Sequence, residues 1–358
     1  MAITRITTAN AIADSSVQNI KMSNIVQSKN IIINGDMSIA QRGTSATGLT
    51  NGSGGYHTVD RFQFAESGSP SFQFTQSQST DVPTGQGFAK SLKMDCTTAQ
   101  GSLGSGDLLT IRTTIEGQNL QYLKKGTSSA KSTTFSFWVR ASKTGTYICE
   151  LLDKDNTRSI SKSYTISSAN TWEKKTLTYD GDTTGAFTND NGSSLQCKWW
   201  LAAGSGFSSG TLQTSWGSTT NANTAVGQVN LADSTSNEWY ITGIQLEAGT
   251  TASEFEFLPV DVNLARCQRY FYNLTEPGAL SIALGSSYAT NAYIYSYIAY
   301  PVTMRAVPTL VITVSSSTGT NAQGGYARKG HIQFYGRGSG AVLDVYFNAS
   351  LCTVSAEL

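Results

Sequence analysis

The sequence predicts an all-β protein: a β-sandwich or jelly roll followed by a second, smaller β domain and preceded by a short attachment segment. Three observations carry that expectation. Charged residues make up 14% of the 358-residue chain, against roughly 25% in an average soluble protein, and 34 glycines stand among abundant Ser, Thr and Asn. Apolar and polar residues alternate over many short runs, as they do in strands with one buried face. Runs with helical spacing are almost absent, so short strands joined by polar turns account for most of the chain.

Residues 1–28 place Ile3, Ile6, Ala13, Val17 and Ile20, with Asn10 and Asn24, in an alternating three-and-four spacing. That spacing suits a short coiled coil with Asn at core positions; the Thr content disfavours helix and suits an extended docking arm equally well. In either form the segment is an attachment or oligomerisation piece.

Residues 29–262 read as the first β domain. NIIINGDMSI reads as a strand, and RFQFAE and SFQFTQ repeat one device, with Phe62 and Phe64, then Phe72 and Phe74, facing one way. LLTIRTTIE, STTFSFWVRA, TYICELLD, SISKSYTIS, EKKTLTYD, QCKWWLAA and EWYITGIQLEAG continue the series. Pro259 stops the last run, and in FLPVDVNLARCQRYFYNL the residues Leu264, Cys267, Gln268 and Phe271 can share a helical face, which puts a domain boundary there. Residues 263–358 form the second domain, with strands at YIYSYIAYPV, TLVITVSSS, HIQFYG and VLDVYFNA and a loop from Ser315 to Gly330.

Composition excludes several function classes. The net charge is +1, and the longest basic cluster, Arg328-Lys329 beside His331, is too small to track phosphates, so nucleic acid is not an expected partner. The N-terminus lacks the apolar run of a secretory signal, and no stretch approaches 18 apolar residues, so neither secretion by that route nor membrane insertion is expected. The five cysteines, Cys96, Cys149, Cys197, Cys267 and Cys352, have no CxxC spacing and no His nearby; an odd count of buried, reduced thiols fits assembly in a bacterial cytoplasm.

No catalytic constellation is legible. His57 and His331, the two histidines, lie outside any nucleophile motif; His57 reads as opening a strand and Asp60-Arg61 as a local pair. The close carboxylates Asp153 and Asp155, Asp180 and Asp182, and Glu254 and Glu256 stand in turn contexts. DKDN lacks the glycine and terminal glutamate of a calcium loop, and GSLGSG and GRGSG match no phosphate-binding loop. No metal, no cofactor and no enzymatic activity are therefore expected.

Aromatic residues stand out instead. Trp199, Trp200 and Trp216 cluster in one region, and Tyr293, Tyr295 and Tyr297 alternate in another. Tyrosines two apart share a strand face, giving a ladder for sugar rings or for identical subunits, with core packing as the alternative. Trp199 and Trp200 are adjacent and point to opposite sheet faces, so at most one can be a solvent platform.

NIIINGDMSIAQRG followed by YHTVDRF resembles the opening motif of many phage tail-fibre and virion-associated proteins, and WYITGIQLEAGTTASEFEFLPVDVNLARCQRYFY resembles their closing motif. Met37 and Phe62 stand where that family often has Phe and Trp. The resemblance spans residues 29 to about 273 and implies a jelly roll similar to carbohydrate-binding modules, carried on a virion and usually trimeric. A structural calcium near Asp36 and Glu247, as in such modules, finds too few oxygen ligands here.

The expectation is thus a homotrimeric virion fibre subunit, assembled in the host cytoplasm. It attaches to another virion protein through residues 1–28 and binds host-surface glycans, with the C-terminal domain as the distal receptor-binding part. A capsid-decorating or tail-scaffold protein without a receptor is the alternative, and a polysaccharide-cleaving tailspike the remote one.

Overall fold

The computed structural model describes residues 29–275 and 280–358. The expected coiled coil or docking arm of residues 1–28 lies outside the described residues.

Thirteen strands build the first unit: β1 (Ser45–Leu49), β2 (Gly55–Tyr56), β3 (Gln63–Ser67), β4 (Gln73–Ser79), β5 (Ser91–Thr98), β6 (Leu108–Glu116) and β7 (Thr133–Ala141). They continue as β8 (Gly145–Asp153), β9 (Arg158–Ile166), β10 (Glu173–Tyr179), β11 (Ser193–Ala203), β12 (Gly217–Ser218) and β13 (Glu238–Ala248). They form two antiparallel sheets, ordered β1-β4-β5-β13-β7-β10 and β12-β9-β8-β11-β6-β3-β2. The chain passes repeatedly between the sheets, and Phe62, Phe64, Phe135, Phe137, Trp199 and Trp239 fill one core between them. The fold is an all-β jelly-roll sandwich.

Alternation explains which residues enter that core. In β11, Leu195, Cys197, Trp199 and Leu201 point inward, and Trp199 meets Phe135 at 5.1 Å between ring centres. A smaller cluster on the opposite face of that sheet packs Trp200 against Leu108, Ile148 and Ala225.

A helix, α1 (Val260–Gln268), leads to the second unit. Its buried residues include Cys267, but Phe271, expected on the same helical face, lies instead in β14 (Phe271–Asn273), which pairs with the last strand. Six further strands follow: β15 (Leu280–Tyr288), β16 (Tyr293–Ala299), β17 (Thr309–Thr318), β18 (Thr320–Ala327), β19 (His331–Gly338) and β20 (Ala341–Ser355). β14 and β15 pair with β20 and β17 also pairs with β20, while β16-β19-β18 form a separate sheet. Ile282, Met304, Ile332, Phe334, Phe347 and Val354 fill the core of this unit. The loop expected from Ser315 to Gly330 is a strand pair: Gly319, at φ 69°, turns β17 directly into β18.

NIIINGDMSI is not a strand either. Asn34 and Met37 adopt φ of 61° and 60°, which bends the backbone out of extended geometry. The Asn34 side chain stabilises that bend, donating to the carbonyls of Ile39 and Asp60 and accepting from the Ile39 N–H, each at 2.9 Å.

The two sequence motifs meet at the junction of the units. Asp60 and Arg61 do not pair with each other: Asp60 accepts from Gln41 and faces Arg42 at 3.5 Å, while Arg61 pairs with Glu357 near the chain end. Arg61 is fully buried and stacks 3.5 Å over the Tyr270 ring. Burial alone would lower the affinity of Arg61 for its proton, but Glu357, together with Tyr56, Tyr270 and Cys267 around it, more than reverses this. Arg269, just beyond α1, makes two bonds to buried Glu116 at 2.8 and 2.7 Å, and Arg42 also bonds Glu357. Buried charges persist only when paired in this way. Arg42 and Arg61, both paired with Glu357, therefore hold the second unit onto the first.

Candidate functional site

The aromatic residues singled out from the sequence divide into three fates. Trp199 is wholly inside the sandwich core. Trp200 is 2% exposed, lies beneath Phe207, and donates through Nε1 to Glu150 at 2.9 Å. Neither can contact a glycan, because adjacent residues on a central strand here meet two different covered faces. Trp216 is half-buried, donating to the Asp180 carbonyl and lying 5.5 Å from the Lys125 ammonium, so it roofs an ion cluster.

Tyr293, Tyr295 and Tyr297 are 54%, 45% and 59% exposed in the single chain. They project from β16 on the outer face of the β16-β19-β18 sheet, where the register sets them opposite Arg337, Tyr335 and Gln333. Gln333 donates to the Tyr297 hydroxyl at 3.0 Å, and Tyr326 joins the face from β18.

At least one member of each carboxylate pair serves structure. The Lys125 ammonium contacts Asp153 at 2.5 Å and Asp182 at 3.0 Å, plus the carbonyls of Thr184 and Gly185 at 2.9 and 2.6 Å. This oxygen cage already holds a cation, the ammonium itself. Burial raises the Asp182 carboxyl, but hydrogen bonds from Arg158 and Lys125 outweigh it and leave it below the usual range. Asp155 accepts from the Thr188 N–H and Glu256 from the Asn30 N–H. Among the described residues no three His, Cys, Asp or Glu side chains converge as a metal-binding group. All five cysteines are buried and free.

One surface had no forecast from the sequence. On the outer face of the six-stranded sheet, a groove of about 250 Å³ is lined by Phe88, Trp138, Phe255 and Phe257, with Gln86, Ser136, Lys174 and Glu254 as its polar groups. Phe88 stands 5.1 Å from both Phe255 and Phe257, whose own ring centres are 4.8 Å apart. Phe257 is 51% exposed. Two glycines make room for this cluster. Gly243, at φ 62° in the irregular stretch of β13, would put a Cβ 2.5 Å from the Phe88 ring, and Gly87, at φ 81°, would put one 3.2 Å from the Phe257 ring.

The signal for Trp138 was present in FSFWVRA: with Phe135 and Phe137 inward, Trp138 must face out. The three phenylalanines gave no comparable signal. Phe88 sits alone in a Gly-rich loop, and Phe255 and Phe257 alternate in a segment that forms no strand. Along the same face the aromatic surface continues to Tyr240, with Trp172 at 6.2 Å and Arg140 4.8 Å over its ring.

No family model matches this sequence, and no curated protein matches it. Solved structures similar to it include the enzymatically active domain of bacteriophage CBA120 tailspike protein 4, at 13% identity and a TM-score of 0.33, over 62% of this chain and 21% of that one. This chain thus matches about a fifth of the tailspike's length. A carbohydrate-binding module described as CBM4 is 11% identical, with a TM-score of 0.31, over 62% of this chain and 99% of that one. The CBM22-1 xylan-binding domain of Paenibacillus barcinonensis Xyn10C is 10% identical, with a TM-score of 0.28, over 63% of this chain and all of that one. The jelly-roll assignment stands on the sheet topology of the chain itself.

Proposed function

We propose that this chain is a non-enzymatic, glycan-binding subunit of a virion fibre, working by binding rather than turnover. The aromatic groove over the six-stranded sheet carries this reading. A pyranose ring offers an apolar C–H face rimmed by hydroxyls, and recognition needs a flat apolar platform with a few polar groups at its edges. Trp138 and Phe257 supply the platform, and Gln86, Lys174 and Glu254 the donors and acceptors. Asp153, Asp155, Asp182 and Glu256, one or both members of each carboxylate pair, are tied to Lys125, Arg158 or backbone amides, which favours binding over hydrolysis. The virion setting rests on the resemblance of the two terminal motifs to tail-fibre proteins. A trimer attached through residues 1–28 would multiply weak sites by avidity, worth about 10²–10⁴ without new contacts.

Point variants test this better than truncation, because removing the C-terminal unit would strip Arg61 of Glu357. The full-length oligomer is assayed on a glycan array and on host cells beside Trp138→Ala and Phe257→Ala. Loss of an aromatic anchor is expected to weaken glycan binding by about thirtyfold. Wild-type binding that both variants retain in full would remove the groove from the function. Absence of any glycan binding by a stable oligomer would favour a purely structural subunit.

A further inference from the structure

We propose that the outer face of the β16-β19-β18 sheet is a second binding surface, built for a carboxylate-bearing glycan. It shares with the preceding reading the ligand class but uses none of the groove residues.

The register stacks the face in rows. Tyr293 lies beside Arg337 and Ala322; Tyr295 beside Tyr335 and Gly324; Tyr297 beside Gln333 and Tyr326; and Ala299 beside His331. The rings form two stacked pairs: Tyr293 and Tyr295 are inclined by 7° at 6.0 Å, and Tyr326 and Tyr335 by 23° at 5.2 Å. Gly324 shapes the second pair, since a Cβ there would stand 2.9 Å from the Tyr335 hydroxyl. Stacked phenol rings offer the outer flank of the pair to sugar C–H groups and their edges and hydroxyls to sugar oxygens.

Charge selects the ligand. No Asp or Glu occupies any position of these rows, whereas Arg337 and His331 stand at opposite ends and Arg328 lies exposed at the β18–β19 turn. Arg337 sits 5.5 Å over the Tyr293 ring, and its Nε is buried with no hydrogen-bond partner. No described side chain supplies it a carboxylate. A guanidinium beside a stacked aromatic pair matches a sugar ring carrying a carboxylate, which the planar fork bonds through two parallel N–H groups. A second copy of the chain is disfavoured as occupant, because facing copies would bring only positive charge to positive charge.

The test uses the full-length oligomer on an array of matched pairs: sialyllactose with lactose, and oligogalacturonate with its methyl ester. The protein is wild type, Tyr295→Ala, Arg337→Gln or the groove variant Trp138→Ala. The wild type is expected to prefer the acidic member of a pair by about tenfold or more, with the preference shrinking as salt rises. Tyr295→Ala should abolish that binding, Arg337→Gln should erase only the acidic preference, and Trp138→Ala should leave it intact. Tyr295 is exposed and Arg337 half-buried, and unchanged circular dichroism checks that both variants fold. Equal binding of acidic and neutral members, no binding of either, or an Arg337→Gln variant with unaltered preference would overturn the proposal. So would a Tyr295→Ala variant that changes only the oligomeric state, which would make the face a contact between copies. Loss of binding in Trp138→Ala alone would place all recognition in the groove, so the two readings fail separately.

Discussion

Replacing Lys125 by Met tests whether one buried ammonium holds the loop around Thr184 to the sandwich. Lys125 is 5% exposed, and its partners Asp153 and Asp182 are 0% and 3% exposed. Removing one partner of a buried ion pair costs about 3–5 kcal/mol, because the remaining charge stays desolvated. Here two features pull toward the lower end. Asp182 keeps both bonds from Arg158, and Asp153 keeps those from the N–H groups of Asp155 and Asn156. About 3 kcal/mol is expected, and at 2–4 °C per kcal/mol for a domain of this size the melting temperature should fall by roughly 6–12 °C. Urea denaturation of the wild type, Lys125→Met, Asp153→Asn and the double variant completes a cycle, in which the double variant should recover part of the single loss. A loss below about 1 kcal/mol, or strict additivity, would refute the reasoning, since the ammonium would then be replaceable by water.

Other expectations follow from the same structure. Burial pushes the Asp60 carboxyl up to about 6, so the folded chain holds its proton more tightly than the unfolded chain does; stability should rise as pH falls from about 6 toward 4, by at most roughly 3 kcal/mol. Asp60→Asn should flatten urea midpoints across that window, and an unchanged slope would assign the pH dependence elsewhere. Gly243→Ala introduces both a left-handed alanine and a clash with Phe88, so about 2–4 kcal/mol of stability should be lost and glycan affinity with it; an unaltered melting curve would show that the groove yields freely. Glu357→Ala leaves Arg61 buried without its carboxylate, at a cost of about 3–5 kcal/mol. Limited proteolysis should then release the C-terminal unit, and a cleavage pattern like the wild type's would mean that the junction rests on other contacts.

Strand alternation made the sandwich legible. LLTIRTTIE, STTFSFWVRA, TYICELLD and QCKWWLAA are β6, β7, β8 and β11, because a residue's facing on a strand depends on local period alone. The tyrosine ladder was readable for the same reason. The misreadings share a cause as well. NIIINGDMSI alternates like a strand, yet the Asn34 side chain supplies local hydrogen bonds that a ladder would otherwise provide. Trp200 faces away from the main core, as an exposed platform would, but the segment carrying Phe207 and Ala225 returns from later in the chain to cover it. Asp60 and Arg61 are neighbours in sequence but take partners 19 and 296 residues away.

By itself, then, the sequence determined the β class, most of the strand set, the shared face of the β16 tyrosines and the lack of a readable catalytic motif, because each follows from residue type and short-range period. Only the tertiary structure decided that Phe88, Trp138, Phe255 and Phe257 share one groove, that Trp199 and Trp200 are covered, and that Glu357 clamps Arg61. Those contacts join residues far apart in the chain, and their geometry depends on sheet order and loop return, which no local pattern of side chains encodes.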